Sequence, residues 1–509
     1  MHNTVDQAWR GAIGFYQSSL FKRVQMSSLF ADSKTFADAI PKAPWNIILQ
    51  AYDRVSNGPD FSLKDFIYEQ FDIPAPVSLQ GIQTASDMQD YIQHMWKILA
   101  RQPDQSRQDS LIPLPYEYIV PGGRFREIYY WDSYFTALGL IEAGHAQMAQ
   151  AMLKNFLYLI DTVGHVPNGN RAYYHSRSQP PILGLMTDLL IGADNTAHPL
   201  FEAALHGMEK EYQFWMSGEE ALVDDWQAHR RVMRLENGAI LNRYWDDDDS
   251  PRPESYREDT EAASHVAPEQ RASVYRHIRA ACESGWDFSS RWFKDPQDIT
   301  SIRTTDVVPV DLNSLLFRLE KQLAQWFGVL GNEEKHNFYV TRADERRRAI
   351  NTYLYHDSES LYLDFLFSER TNSEVVSAAC YVPLAVGLAS KRQADAIAKI
   401  TESTFLQAGG IITTPISSGQ QWDAPNGWAP LQWFAVEGLE RYGYLALADK
   451  IKTNWLSSVE RKFTDKAAML EKYDVCNTQQ EAGGGEYEVQ LGFGWTNGVT
   501  ALFLSTLPE

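Results

Sequence analysis

The chain has 509 residues, 44% of them apolar, and a formal net charge of -20 from 66 acidic and 46 basic residues. That imbalance excludes sequence-independent nucleic-acid binding, which needs a clustered positive surface against phosphates. With no Ser/Gly-rich or Pro-rich linker and no low-complexity tract, the simplest division is an N-terminal helical extension over residues 1–110 and one large domain over 111–509.

The N-terminus, Met1-His2-Asn3-Thr4-Val5-Asp6, lacks a basic stretch followed by an apolar one, and no run of 18 apolar residues occurs. The expectation is therefore a cytoplasmic protein with no membrane association. Cys282, Cys380 and Cys476 have neither an even count nor metal-ligand spacing and read as reduced thiols. The 15 Trp, 25 Tyr and 24 Phe exceed what a soluble protein usually carries, and flat rings with polar rims suit the C–H faces and hydroxyls of a sugar.

Helical periodicity dominates the chain and comes in pairs. The run Trp45-Asn46-Ile47-Ile48-Leu49 is expected to dock an N-terminal helix onto the main domain. After a helix ending near Gly144, residues 145–160 place Met148, Met152, Leu153, Phe156, Leu157 and Ile160 on one stripe. Further helices are expected over 181–192, 197–216 and 267–283. In 311–327 the stripe is Leu312, Leu315, Leu316, Leu319, Leu323 and Phe327, and helices follow over 333–354, 374–389 and 391–404. Leu361 to Phe367 is the clearest strand-like run. Another helix begins after Trp428, tolerates Pro430 in its first turn and stops at Gly443, before two more over 445–460 and 495–505. This is an all-α chain of antiparallel hairpins, either a closed ring or an open solenoid. Trp131-Asp132, Trp286-Asp287, Trp422-Asp423 through Trp428, and Trp495 to Gly498 all lie at or before helix starts. Loops gathered at one rim of a ring would bring them together, so closure into an α/α barrel is favoured.

Two carboxylates stand out. Asp287 lies among aromatics in Ser284-Gly285-Trp286-Asp287-Phe288, and Glu486 follows three glycines in Gly483-Gly484-Gly485-Glu486-Tyr487. Such settings separate the proton affinities of an acid and a base, as glycoside hydrolysis requires. Trp286 and Phe288 are expected to keep water from Asp287. Glu488 would point the same way as Glu486 on an extended segment and is the alternative base. Asp246 to Asp249 lacks the glycine and glutamate of a calcium loop, since those positions are Pro251 and Arg257, and reads as a solvated acidic loop. The triple glycine lacks a P-loop continuation, and His165 and His175 lack the helical spacing of a zinc pair.

Residues 121–135, Pro-Gly-Gly-Arg-Phe-Arg-Glu-Ile-Tyr-Tyr-Trp-Asp-Ser-Tyr-Phe, resemble the first signature of trehalases, and Gln421 to Pro430 resembles the second. The likeness continues through 167–171, 176–180, 284–292 and 483–498 and spans roughly residues 115–505. It implies a toroid of six helical hairpins that cleaves α,α-trehalose to two glucoses with inversion, without metal or cofactor, as a monomer. By this resemblance Asp287 matches the general acid and Glu486 the general base. Arg124, Arg177 and Arg252 match substrate-contacting arginines. Trp131, Asp132, Asn168, Ser178, Gln179 and Glu254 match further contacts, Gly285 allows close backbone approach, and Phe125, Tyr129 and Trp422 form apolar walls. An inverting pair is expected to stand ~6.5 to 9.5 Å apart, leaving room for water. The competing readings are another inverting α/α-barrel glucosidase, a phosphorylase, and an inactive trehalose-binding sensor.

Overall fold

The computed structural model describes residue 9 and residues 11–75, 85–105 and 109–507. Its helices, labelled along the chain, begin with α1 (Ser19–Met26), α2 (Ser33–Ala37), α3 (Trp45–Val55), α4 (Leu63–Gln70) and α5 (Met88–Leu99). Then come α6 (Tyr130–Glu142), α7 (Ala146–Val163), α8 (Leu183–Ile191), α9 (Phe201–Met216), α10 (Tyr256–Ala263) and α11 (Arg271–Glu283). The series ends with α12 (Val310–Val329), α13 (Glu333–Tyr353), α14 (Val382–Ala385), α15 (Lys391–Ile400), α16 (Ala429–Arg441), α17 (Leu445–Lys466) and α18 (Gly494–Thr506).

Six inner helices close a ring, α6 packing on α8, α8 on α12, α12 on α14, α14 on α16, α16 on α18, and α18 back on α6. Each has an outer partner, α5, α7, α9, α13, α15 or α17, so six hairpins make the expected α/α barrel. Inner helices are covered on nearly every side: in α6 every residue from Tyr130 to Leu140 is buried. The outer α13 buries only a few positions, Tyr339, Ala343, Arg346, Ala349 and Ile350. Ring closure depends on one pair of small residues. A Cβ on Gly139 of α6 would lie 2.4 Å from Gly498 Cα in α18, and a Cβ on Gly498 would lie 2.1 Å from the Phe135 carbonyl oxygen. Only glycine at both positions permits that approach.

Two expected elements take another form. Residues 374–389 do not make one helix; a 3-10 turn over Ala378–Tyr381 leads into the four-residue α14. Upstream the chain is extended, with Ala378 N bonded to the Thr413 carbonyl at 2.9 Å, and Gly438 of α16 packs close against Leu384 and Tyr381. The strand-like run also splits. Leu361–Tyr362 pairs with Tyr355–His356, whereas Phe365–Leu366 pairs with Val307–Val308 and Thr371–Asn372. Between them Asp364 turns inward to bond the Arg291 guanidinium and the Val310 amide.

The domain boundary expected near residue 110 moves toward the N-terminus. Helix α5 is the outer partner of the first hairpin: it packs on α18, Tyr91 OH accepts the Met469 amide at 3.1 Å, and the Tyr91 ring meets Phe463. Among the described residues, those before 76 form a separate apolar cluster with Tyr129, Ala172, Tyr173 and Tyr174. Trp45 stacks on Phe15 there at 4.5 Å, and Ile48 and Tyr52 are buried, so the expected docking run packs inside the N-terminal cluster, whose ring contacts with the main domain include Tyr16 on Tyr173 at 5.7 Å. Ile47 is instead half exposed, on the opposite face of α3.

Candidate active site

The loops entering the inner helices meet at one rim. Residues 124–132 lead into α6, 168–179 into α8, 422–428 into α16 and 486–495 into α18, while 252–255 and 282–287 come from the long excursion between α9 and α12. Together they line one cavity. Its apolar lining is Phe125, Tyr129, Trp131, Tyr174, Trp422, Trp428, Phe493 and Trp495. Trp422 stacks flat on Trp428 at 3.9 Å, and Trp495 stands edge-on to both. All the expected site residues except Ser178 line this cavity. The Ser178 hydroxyl is committed to the Val166 carbonyl at 2.6 Å and its amide to Glu283 at 2.8 Å, so it holds the loop and does not face the cavity.

Three arginines are fixed by anions behind them. Arg177 bonds Glu254 at 2.6 Å and Asn168 at 3.0 Å, and Asp246 stands 3.3 Å away. Arg252 is forked onto Asp259, with Cys282 Sγ at 3.2 Å and the Phe288 ring 5.2 Å from its guanidinium carbon. Arg124 lies over Tyr487 at 4.7 Å and faces Asp32 at 3.7 Å. Polar atoms remain without a protein partner at the lining, Arg124 Nε and Glu254 Oε2 among them. Buried unpartnered polar atoms need an explanation, and a ligand rich in hydroxyls supplies one.

In the acidic run 246–249, expected as a solvated loop, Asp247 and Asp249 are exposed and Asp248 partly so, and Asp246 alone departs from the expectation. Asp246 is fully buried between Arg177 and Arg279, and Asp247, Asp248 and Asp249 face Arg230, Arg279 and Arg276. Its charge sets the arginine wall in place. His165 stacks on Phe214 at 4.3 Å, and burial lowers its pKa to about 3, as for a structural histidine.

Asp287 opens into the cavity from a cis Asp287–Phe288 peptide. Burial pushes its pKa up to about 6, against the pull of Arg252 and Arg177, and the negative Glu471 adds to the rise. The expected roles of Trp286 and Phe288 change, because neither lines the cavity. Trp286 stacks on Trp422 at 5.5 Å, in contact with the Arg291 guanidinium, and Phe288 sits beneath Arg252. Gly285, at φ +76°, is the close approach expected: a Cβ there would lie 2.7 Å from the Trp131 ring.

Glu486 also faces the cavity, whereas Glu488 is exposed and outside it. Glu486 Oε1 accepts from Arg252 at 2.9 Å, and Oε2 accepts from Arg252 and Ser255 at 3.2 Å each. Burial raises its pKa to about 7, with Arg252 opposing. Another carboxylate of the cavity, Glu471, is one that sequence reasoning missed. It is 1% exposed, directly precedes the strand Lys472–Asp474 that pairs with Asn426–Trp428, and lines the same cavity. Its Oε1 accepts from Tyr487 OH at 2.9 Å, and among the described residues Oε2 has only the Gln490 amide at 3.5 Å. Burial raises its proton affinity, while Lys472, Tyr487 and Arg124 lower it. A Glu-Lys pair reads locally as a solvated ion pair, so only the three-dimensional arrangement reveals it. Lys34, Tyr174, Ser255, Cys282, Trp428, Tyr487, Phe493 and Trp495 are further lining residues that sequence reasoning did not assign.

A barrel rim with paired carboxylates, forked arginines and ring walls defines an α/α-barrel glycoside hydrolase. Comparison with known proteins narrows the class. Residues 28–508 match the Trehalase family, and the chain belongs to it. It is 45% identical over 490 residues to the periplasmic trehalase of Escherichia coli (strain K12), covering 96% of this chain and 86% of that protein. The neutral trehalase of Saccharomyces cerevisiae superposes with a TM-score of 0.63 at 29% identity, over 77% of this chain and 74% of that one. A mannosylglycerate hydrolase from Thermus thermophilus shares the fold at a TM-score of 0.52 and 19% identity, over 83% of this chain and all of that one.

Proposed function

We propose that the protein hydrolyses α,α-trehalose to two glucoses with inversion at the attacked carbon. The observation that carries this reading is one cavity in which Asp287 meets four further carboxylates (Asp132, Glu254, Glu471 and Glu486), three arginines and stacked tryptophans. The relatives' printed activity supplies the sugar. Asp287, holding its proton at mildly acidic pH, gives it to the glycosidic oxygen as the C–O bond breaks. Water forms the new bond to the anomeric carbon and passes a proton to the base, so one carboxyl loses a proton and the other gains one. The arginines and Asp132, Asn168, Gln179 and Glu254 hold the hydroxyls, and the rings cover the C–H faces.

For the base we assign Glu471. An acceptor of a water proton needs a free oxygen, and Glu471 Oε2 is free apart from one long amide contact. Glu486 has both oxygens engaged by Arg252, one also by Ser255, and a carboxyl at about 7 would keep the proton that Asp287, at about 6, has to supply. Glu486 then fixes Arg252 against the substrate. Glu486 as base, the role that the family resemblance implies, is the second reading, since it faces the same cavity as Asp287. Kinetics of Glu471→Gln and Glu486→Gln separate them. Turnover should fall at least ~10²-fold in Glu471→Gln and be rescued by added azide, which replaces the water. Azide rescue of Glu486→Gln alone would restore the second reading.

The relatives' printed names favour the periplasm over the expected cytoplasm, and fractionation of the native host distinguishes the two. Among the described residues no helix is long and apolar enough to cross a membrane. Turnover of trehalose without inorganic phosphate, and not of maltose, sucrose or cellobiose, separates trehalose hydrolysis from phosphorylase, other-glucosidase and sensor readings.

A further inference from the structure

The glycine loop carries two neighbouring side chains with different duties. Glu486 reaches Arg252 and Ser255, while the Tyr487 phenol donates to Glu471 Oε1 at 2.9 Å. The Tyr487 ring is gripped from several sides. The Arg124 guanidinium lies 4.7 Å from its centre, Lys472 Nζ lies 5.6 Å away, and Phe125 meets it edge-on at 5.5 Å. Two contacts fasten the surrounding backbone: Lys472 Nζ bonds the Gly484 carbonyl at 3.2 Å, and the Gln490 side chain accepts the Arg124 amide at 2.8 Å. A Cβ on Gly484 would lie 2.5 Å from the Gly419 carbonyl oxygen and one on Gly485 2.7 Å from Gln421 Oε1, so the glycines let the loop seat against 419–421.

A carboxylate free to rotate offers either oxygen to water. With Tyr487 on Oε1, only Oε2 remains open. We propose that Tyr487 is a positioning residue: its phenol locks Glu471 so that Oε2 takes the proton of the hydrolytic water, and this lock exists only when the glycine loop is seated. The inference rests on Glu471 being the base. The groups facing Glu471 are Lys472 on the adjoining strand, Tyr487 from the loop, Arg124 from the segment before α6, Asp132 on α6 and Asp287. A hydrogen bond donated to the ionised form lowers its proton affinity, so removing the phenol raises it.

The test is Tyr487→Phe in the full-length protein, alongside Glu471→Gln. The phenylalanine variant should lose about 10- to 100-fold in kcat, as for other residues that orient a reacting group. Its KM for trehalose should stay within about threefold, and the acid limb of kcat/KM against pH should move to higher pH. Trehalose affinity measured by calorimetry in Glu471→Gln and Glu471→Gln/Tyr487→Phe should be the same, showing that the loop still seats. Wild-type kcat and an unmoved acid limb in Tyr487→Phe, with Glu471→Gln inactive, would overturn the proposal and leave the base assignment standing. An active Glu471→Gln would remove the base assignment itself. If affinity fell as far as kcat, Tyr487 would be a substrate wall and the proposal would also fail.

Discussion

Asp287 keeps a proton to about pH 6 because its carboxyl is taken from water, and Glu471 adds negative charge nearby. For activity Asp287 has to be protonated, so kcat/KM should fall as pH rises through about 6. The base has to be ionised, so activity should also fall as pH drops through the raised value of Glu471. The maximum then lies between the limb set by Glu471 and the limb near 6 set by Asp287. Were Glu486 the base, the profile would centre between about 6 and 7, and a pH series on the purified protein discriminates these cases. The two limbs report the coupled set of carboxyls rather than isolated groups. Asp287→Asn cannot donate a proton and should lose at least ~10²-fold in kcat while still binding trehalose. Gly285→Ala places a side chain at positive φ and against Trp131, costing about 1–3 kcal/mol; a urea titration reads the loss. Asp287 and the arginines were legible because long motifs surround them. Glu471 was not, since nothing in Leu470-Glu471-Lys472-Tyr473 shows that the chain folds it into the cavity.

At the scale of elements, a buried charge cluster ties the N-terminal segment to the rim. Lys34 of α2 lies 2.6 Å from Asp38 and 2.7 Å from Glu127, and Arg171 bonds Glu127 at 3.2 Å. Glu127 in turn accepts from the Tyr129 phenol, whose ring lines the cavity. Gln25 also bonds the Pro253 carbonyl and Ser33 bonds Glu258, bracing the stretch that carries Arg252 and Glu254. Removing one member of a buried cluster leaves opposite charge uncompensated, at about 3–5 kcal/mol. Lys34→Met should therefore lower the urea midpoint by that equivalent, and it should reduce activity because Tyr129 loses its support. The sequence showed an apolar face on α3 but gave no sign of these ion pairs, which reach across long stretches of the chain. Local pattern also misread 374–389 and 361–367, where partners from distant loops determine whether the backbone coils or extends.

Over the whole molecule, hairpin periodicity and motifs at helix starts were enough to anticipate a closed barrel. Closure itself depends on Gly139 meeting Gly498, a contact between the first and last inner helices that no local window contains. The same long-range pairing explains why α5 belongs to the barrel although it precedes every recognised motif. The ring gathers loops from almost the full chain, so acid, base and sugar-binding groups reach one cavity. The proposed reaction is inverting hydrolysis of trehalose, and anomer-resolved proton NMR of the purified protein acting on trehalose tests it most directly. Before mutarotation, one glucose should appear as the β anomer and the other as the α anomer in equal amounts. Release of α-glucose alone, or no cleavage of trehalose, would contradict the account.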